Sequence, residues 1–420
     1  MPSLAQDPTS TMKPSLVVCI YQNPDYYPPT FNAVRILSEY FRVVIIGRNI
    51  RPCFALWPEE VEVRRIGAYG DLDDKAAAGA LTKLGEYRSF VRAIGLALDE
   101  FAPALVYAYE PHAFEAVLRA GARGRAIPVI HHLHEMPEIG AAQLTSLQTW
   151  IGRAALRHTI AAATVIFPEA NRAADYLAVA RDSRPPLIVP NCPARDFCSP
   201  LSESEVVALA SRRFAGREVI YAGSLGDSHS NREAVRAMTH LPATRLTHLG
   251  WAPAGFAEEL RGLAADLNLA DRCVVEAPLP HRELAARMLE AAVGLSLHKP
   301  LDGNLTHIAT ATNKLFEYAA CAMPVVVPDL PNFHEFLADE PWVAYADPFE
   351  PEAIARVIGG LLSDPENYTR MSLAARRFFT DRFYYERAFA PALARILALA
   401  GLTLAGPATA ANGQNSVAAS

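Results

Sequence analysis

The chain is short of the features that would assign it quickly. Its six cysteines (Cys19, Cys53, Cys192, Cys198, Cys273 and Cys321) include no C-x-x-C pair, so a disulfide framework or a thiolate metal site lacks the spacing it needs. No uninterrupted apolar run reaches the ~18 residues of a spanning helix. The nearest, Ala392 to Ala405, follows Pro391, carries Arg395 and stops at Gly406-Pro407, and reads as a helix packed on protein. No G-x-G-x-x-G follows an apolar run, which disfavours a dinucleotide dehydrogenase. Positive charge is scarce too: 39 Lys and Arg stand against 45 Asp and Glu, a net charge of −6, whereas a nucleic-acid binder shows a basic face. Met1 to Pro14 lack the apolar core of a signal peptide, and no internal repeat is visible. The expectation is a reduced, cytoplasmic protein with no transmembrane segment and no nucleic-acid partner, one that still admits peripheral membrane contact.

What is present is ample material for two cores. At 420 residues with 51% hydrophobic and 20% charged composition, the chain exceeds what one hydrophobic core usually supports. Short β-branched apolar runs alternate with amphipathic stretches. Ser15–Tyr21, Arg42–Gly47, Ala104–Ala108, Pro128–His132, Ala163–Phe167 and Leu187–Pro190 read as buried strands, with a helix over Phe31–Tyr40. The pattern lapses around Cys192–Ser204, passes a polar helix at Glu203–Phe214, and restarts. Glu218–Gly223, Arg245–Gly250, Cys273–Ala277, Val293–Leu297 and Pro324–Val327 continue it. Continuous apolar runs belong to parallel strands covered on both faces, and their alternation with helices implies doubly wound sheets. The expected fold is α/β, two Rossmann-like doubly wound domains separated by a deep cleft. The boundaries are 1–13 disordered, 14–195 and 196–385 as the two domains, 386–405 a C-terminal helix crossing back to the first, and 406–420 a disordered tail. Pro391 either kinks that helix or begins a fresh one. Ligands of such sheets bind beyond the carboxyl ends of the strands.

The richest segment is Asn313-Lys-Leu-Phe-Glu-Tyr, leading to Pro324-Val-Val-Val-Pro-Asp329. Thr312 or Asn313 can cap a helix there. Lys314 then falls in the first turn, unfavourable for the helix dipole unless an anion also occupies that end. Glu317 lies one turn on and can accept hydrogen bonds from two vicinal hydroxyls. On spacing alone, Lys314 and Glu317 fit a solvated i, i+3 ion pair equally well. Further back, His131, His132 and His134 follow an apolar strand, with Glu135 next to them. Alternation sends His132 and His134 to one face and His131 to the other. No second ligand cluster accompanies them, so the reading is no metal. A buried histidine bonded to backbone is the bland alternative for His134. The loop Tyr21–Phe31, with Asp25, Tyr26 and Tyr27 between prolines, offers an aromatic face to a sugar or covers the end of the sheet.

The segment 313–329 resembles the nucleotide-sugar signature of retaining GT-B glycosyltransferases of family four (group 1). Val219–Leu225, Ala277–Leu284, Val129–Glu135 and Leu187–Pro193 resemble further family segments in the family's order, so the likeness covers roughly residues 14 to 400. It implies a hexosyltransferase-like enzyme that moves a sugar from a UDP- or GDP-linked donor to a hydroxyl acceptor, with retention and without metal or other cofactor. The acceptor is small, a polysaccharide or lipid-linked. By the resemblance Glu317 binds the ribose and Lys314 lies by the diphosphate. Gly223, Ser224, Leu225, Pro278, Leu279, Asn313 and Leu315 complete the donor side. His134 and Lys314 are the catalytic candidates, and Tyr26, Tyr27, Thr30 and Glu135 stand on the acceptor side. The sequence departs from the family at four places. Ala309 replaces a first glutamate eight residues before Glu317, Ser224 replaces a loop arginine, Asp25–Phe31 replaces paired glycines, and Ala322 replaces a glycine. Without the loop arginine, cationic help falls to Lys314, Lys299, His229 or Arg232. A nucleotide-sugar epimerase of the same fold, or a non-catalytic nucleotide-sugar-binding scaffold, are the alternative readings.

Overall fold

The computed structural model describes residues 13–50, 57–71, 75, 77–137 and 146–403. The segments expected to be disordered, 1–13 and 406–420, therefore lie outside the described residues apart from Lys13, whose ammonium donates to Ser38 O at 2.8 Å. Cys53 lies outside them too.

The first half builds β1 (Ser15–Ile20), α1 (Pro28–Leu37), β2 (Arg42–Ile50), β3 (Glu62–Gly70), α2 (Ala80–Phe101), β4 (Leu105–Tyr109), α3 (Glu110–Arg119), β5 (Val129–His132), α4 (Leu147–His158), β6 (Thr164–Phe167), α5 (Ala170–Ala180) and β7 (Leu187–Ile188). These strands form one parallel sheet in the order β3-β2-β1-β4-β5-β6-β7. After α6 (Glu203–Gly216) come β8 (Glu218–Ala222), α7 (Asn231–Ala237), β9 (Arg245–Leu249), α8 (Phe256–Asp266), β10 (Cys273–Glu276), α9 (His281–Met288) and β11 (Val293–Leu295). The chain continues through α10 (Gly303–Thr306), α11 (Asn313–Ala320), β12 (Val325–Pro328), α12 (Pro331–Leu337), β13 (Val343–Ala346), α13 (Pro351–Leu361), α14 (Pro365–Asp381) and α15 (Tyr385–Leu399). The second sheet is also parallel, ordered β10-β9-β8-β11-β12-β13. Each sheet reverses direction of winding once, between β1 and β4 and between β8 and β11, and those reversals open the crevices in which such sheets take ligands.

The apolar runs become central strands for the expected reason. In β1, Leu16, Val18 and Ile20 enter one core while Val17 and Cys19 enter the other. Two further strands, β3 and β13, are not expected from the sequence pattern. Both are sheet edges, so they pair on one side only and are largely half-buried or exposed. Glu62-Val-Arg-Arg-Ile-Gly-Ala-Tyr-Gly70 is interrupted by charged residues, whereas Val343-Ala-Tyr-Ala346 is apolar but only four residues long. Helix α1 begins three residues before the expected Phe31 because Pro28 and Pro29 fit its first turn, where no amide bond is needed.

Helix α15 runs unbroken through Pro391 and packs against α1 of the first unit. Arg35 of α1 holds the two crossing segments together. It donates to both oxygens of Asp196 at 2.9 and 3.1 Å and to Glu386 at 3.1 Å, while Glu386 also accepts the Arg195 amide at 3.0 Å. Phe389 is fully buried in this packing. Phe389→Ala is expected to cost about 3–5 kcal/mol of folding stability, read from urea midpoints. A loss under about 1 kcal/mol would show that the helix contributes little to the fold.

Candidate active site

The second crevice is shaped by one tyrosine. Pairing between β8 and β11 stops at Gly294 opposite Ile220, and the Tyr318 hydroxyl takes over. It accepts the Ala222 N–H at 2.9 Å and lies 3.3 Å from both Ile220 O and Leu295 O. Any side chain at Gly294 would collide with the Tyr318 ring. Tyr318 thereby anchors α11 across the mouth of the two strands.

At the start of α11, Thr312 occupies the N-cap position with extended backbone but makes no side-chain cap bond. The capping expected of Thr312 or Asn313 is not made: Thr312 is buried and Asn313 is already inside the helix. The first-turn amides are left without a side-chain acceptor, which favours an anion. Lys314 and Glu317 are not a solvated pair, being 9% and 5% exposed. Lys314 Nζ donates to His298 Nε2 at 3.3 Å and sits 4.8 Å above the Tyr221 ring. His298 can accept because its Nδ1–H is used on Ser296 O at 3.0 Å. Burial pushes the Lys314 ammonium down to about 8, with Glu317 opposing. Burial and the Lys314 charge push His229 down to about 3, so it stands by as a neutral ring 5.2 Å from His298.

Gly223, exposed after β8, admits this arrangement. At φ 140° it lies where a Cβ would approach Lys314 Cε to 3.2 Å, and a Cβ on neighbouring Gly250 would lie 1.8 Å from Gly223 O. Ser224 is exposed beside it, its carbonyl held by Tyr221 Oη at 2.6 Å. Leu225 and Leu315 are core residues beneath the site, and Asn313 is half-buried at the helix start. Glu317 Oε1 accepts from His281 Nε2 at 3.1 Å. His281 opens α9 directly after the exposed Pro278 and Leu279, so that loop and α11 meet. Of the other candidate cations, Lys299 is paired with Glu233 at 2.9 Å, and Arg232 with Asp227 and Glu259. Lys314 is the cation left for a ligand among these. Ala322 does take a left-handed conformation, φ 55°, at a cost of about 1 kcal/mol for a residue other than glycine.

On the first unit, His134 is sandwiched between parallel rings, Tyr27 at 5.2 Å and Tyr109 at 5.5 Å. His132 shares its face, while His131 stacks on Phe114 on the other. Among the described residues no backbone group bonds a ring nitrogen of His134, which removes the backbone-bonded alternative. Burial, then the Arg172 charge, push it down to about 4, with the Asn191 side chain opposing, so the ring is neutral at pH 7. Tyr27 therefore covers the sheet end in this conformation. Thr30 is buried beside Tyr109, and Glu135 is exposed at the rim. The side chain of Tyr26 lies outside the described residues. Beside Glu135 stands an unanticipated carboxyl, Glu110, pushed up to about 8 chiefly by burial and then by the Glu135 charge. Among the described residues no group of three His, Cys, Asp or Glu side chains is placed to hold a metal ion, and no helix is long and apolar enough to cross a membrane.

Several residues of the site do not follow from the sequence reading. His298 follows β11 and Glu110 follows β4, so the rule that ligands gather beyond strand ends could have found both. Nothing local marks Arg172, while Tyr318 and His281 stand inside segments already singled out, 313–329 and 277–284, without a role read for them.

Two family models match, "Glycosyl transferase 4-like domain" over residues 33–192 and "Glycosyl transferase-like" over 228–394. The chain is similar to a D-inositol 3-phosphate glycosyltransferase of Xylanimonas cellulosilytica, 26% identical over 64% of this chain and 65% of that protein. It is also similar to a GDP-mannose-dependent alpha-(1-6)-phosphatidylinositol monomannoside mannosyltransferase of Mycolicibacterium smegmatis, 27% identical over 36% of this chain and 40% of that protein. It thus spans less than two thirds of either. The structure of Anabaena HepE in complex with UDP-glucose shares the fold, with a TM-score of 0.66 at 14% identity over 93% of this chain and 100% of that one.

The buried lysine gives a test that needs no ligand. Its unfolded value is ~10.4 and its folded value about 8, so between these the unfolded chain holds a proton the folded one has released. Stability from this site therefore rises with pH across that window. In urea melts, wild type should gain on Lys314→Met between pH 8 and 10. A pH-independent difference would mean that Lys314 stays charged in the folded protein.

Proposed function

The chain belongs to the glycosyltransferases of the GT-B, group 1 kind, and we propose that it moves a sugar from a UDP- or GDP-linked donor to an acceptor hydroxyl, with retention and without metal. The observation that carries this reading is Lys314, a buried ammonium placed at uncapped helix amides, one turn from Glu317 and against the exposed Gly223. That set fits a diphosphate with a ribose beside it. Glu317 binds the two ribose hydroxyls, and the base lies toward Pro278 and Leu279. The diphosphate lies on Gly223, Ser224, Asn313 and Lys314, with Leu225 and Leu315 supporting the walls. UDP-glucose bound to a protein of the same fold supports a donor of this class. The donor side is 196–385 and the acceptor side is 14–195, with 386–405 fastening the two. On the acceptor side Glu135 is exposed at the rim, with Tyr27 covering His134 and Thr30 buried behind it.

The chemistry asked of these groups is electrostatic. The bond from anomeric carbon to phosphate oxygen breaks, and Lys314 with the α11 amides stabilises the charge growing on the diphosphate. The acceptor oxygen bonds the same carbon from the same face and passes its proton to the departing phosphate oxygen. No enzymic nucleophile is consumed. His134, neutral at pH 7, offers a hydrogen bond to the sugar rather than a charge.

Glu317→Gln should weaken UDP or GDP binding by about 1–3 kcal/mol, the scale of a hydrogen bond to a charged group, measured by calorimetry. Unchanged affinity in the folded variant would remove Glu317 from the site. Lys314→Ala should lower UDP-glucose or GDP-mannose turnover by far more than it weakens UMP or GMP binding. Equal losses would make it a structural lysine, and conversion of donor sugar with no acceptor present would favour an epimerase.

A further inference from the structure

Residues 302–312, between β11 and α11, lie across the first unit as a strap. Asn304 pairs with the backbone of Met136 in both directions, accepting from its N–H at 2.8 Å and donating to its carbonyl at 3.0 Å. Thr310 Oγ1 donates to Pro168 O at 2.7 Å. Asn191 donates its N–H to Thr310 O at 2.9 Å and its Nδ2 to Ala311 O at 2.8 Å. Met136, Pro168 and Asn191 follow β5, β6 and β7, so the strap crosses the carboxyl ends of three consecutive strands of the first sheet. The strap ends at Thr312, the N-cap of α11 with its Lys314 and Glu317.

Arg172 fastens this crossing. Buried in the first turn of α5, it donates from Nη1 to His134 O at 2.7 Å, from Nε to His307 O at 2.6 Å, and from Nη2 to Asn304 O. One acceptor belongs to the first unit and two to the strap. On the other side of His134, Glu110 Oε1 accepts its N–H at 2.9 Å, so both peptide groups of His134 are fixed. Glu110 itself sits at φ 65°, a conformation that a non-glycine residue keeps only where its surroundings impose it.

We infer that Arg172 is a positioning residue, which sets His134 against Lys314 by holding the strap that leads into α11 on the β5 loop. The inference rests on the glycosyl-transfer reading above. A guanidinium suits this role because its donors lie in a rigid plane, fork to separate acceptors and are never deprotonated. A lysine brings the charge but cannot span three carbonyls. Arg172 touches neither Gly223, Lys314 nor Glu317, so its loss should spoil alignment of the two units for transfer and spare nucleotide binding.

The test uses the full chain with Arg172→Lys, Arg172→Ala and, as a variant that leaves Arg172 in place, Asn304→Ala. UDP affinity by calorimetry, UDP release from UDP-glucose, and the radius of gyration by X-ray scattering are measured on each. Arg172→Lys should bind UDP within about twofold of wild type and release it about 10–100-fold more slowly, the scale of a misplacement near 1 Å. Arg172→Ala and Asn304→Ala should both be more extended in solution, with and without UDP. Equal losses of UDP affinity and turnover would make Arg172 merely structural. Wild-type turnover and an unchanged radius in folded Arg172→Ala would overturn the inference. If wild type binds neither UDP nor GDP, the donor reading fails, and the scattering result alone decides whether Arg172 holds the strap.

Discussion

An ammonium is held inside this protein without a carboxylate in ion-pair range among the described residues, and the second unit is organised around it. Charge in a low-dielectric site is costly unless it is solvated by oriented groups. Lys314 receives a lone pair from His298, whose tautomer is set by Ser296 O, and the π-face of Tyr221. These groups lower the cost without cancelling the charge. The remaining positive potential joins the uncapped amides of α11, and the nearby side chains that could dilute it are tied elsewhere: Lys299 to Glu233, and Arg232 to Asp227 and Glu259.

The geometry that keeps this lysine in place is made of absences as well as contacts. Gly223 and Gly250 have no side chain where one would displace Lys314 or the Gly223 carbonyl, and Gly294 leaves room for the Tyr318 ring. Tyr318 then fills the gap between β8 and β11 with its hydroxyl, fixing the helix that carries Lys314 and Glu317. The opposite wall is built differently. His132 and His134 are kept neutral by burial, and carboxyl groups at Glu110 and Glu135 stand near them. The imidazoles of the first unit are thus uncharged where Lys314 of the second is cationic.

The central strands were legible because a parallel strand buried on both faces is apolar at most positions, a signal carried in a few consecutive residues. Of the edge strands, β7 and β10 were legible and β3 and β13 were not: β3 is broken by Glu62, Arg64 and Arg65, while β13, short and apolar, differs little from the edges that were read. The α11 segment was legible for a similar reason: cap position, first-turn lysine and glutamate one turn on are fixed by helix geometry within six residues, and the family likeness fell on the same stretch. Gly223 followed from the likeness of Val219–Leu225 to a family segment.

What the sequence determined by itself, then, was the class of fold, its division into two sheets, and the residues Lys314 and Glu317 as a pair on one helix. Only the tertiary structure decided that the pair is buried, that His281 and His298 come to it from the ends of two other strands, and that Arg172 reaches carbonyls 38 to 135 residues away. The reason is the range of the forces. Helix and strand periodicities are local and leave a mark in a short window, whereas hydrogen bonds between loops of different strands depend on how the sheets are wound, and no spacing in the sequence records them.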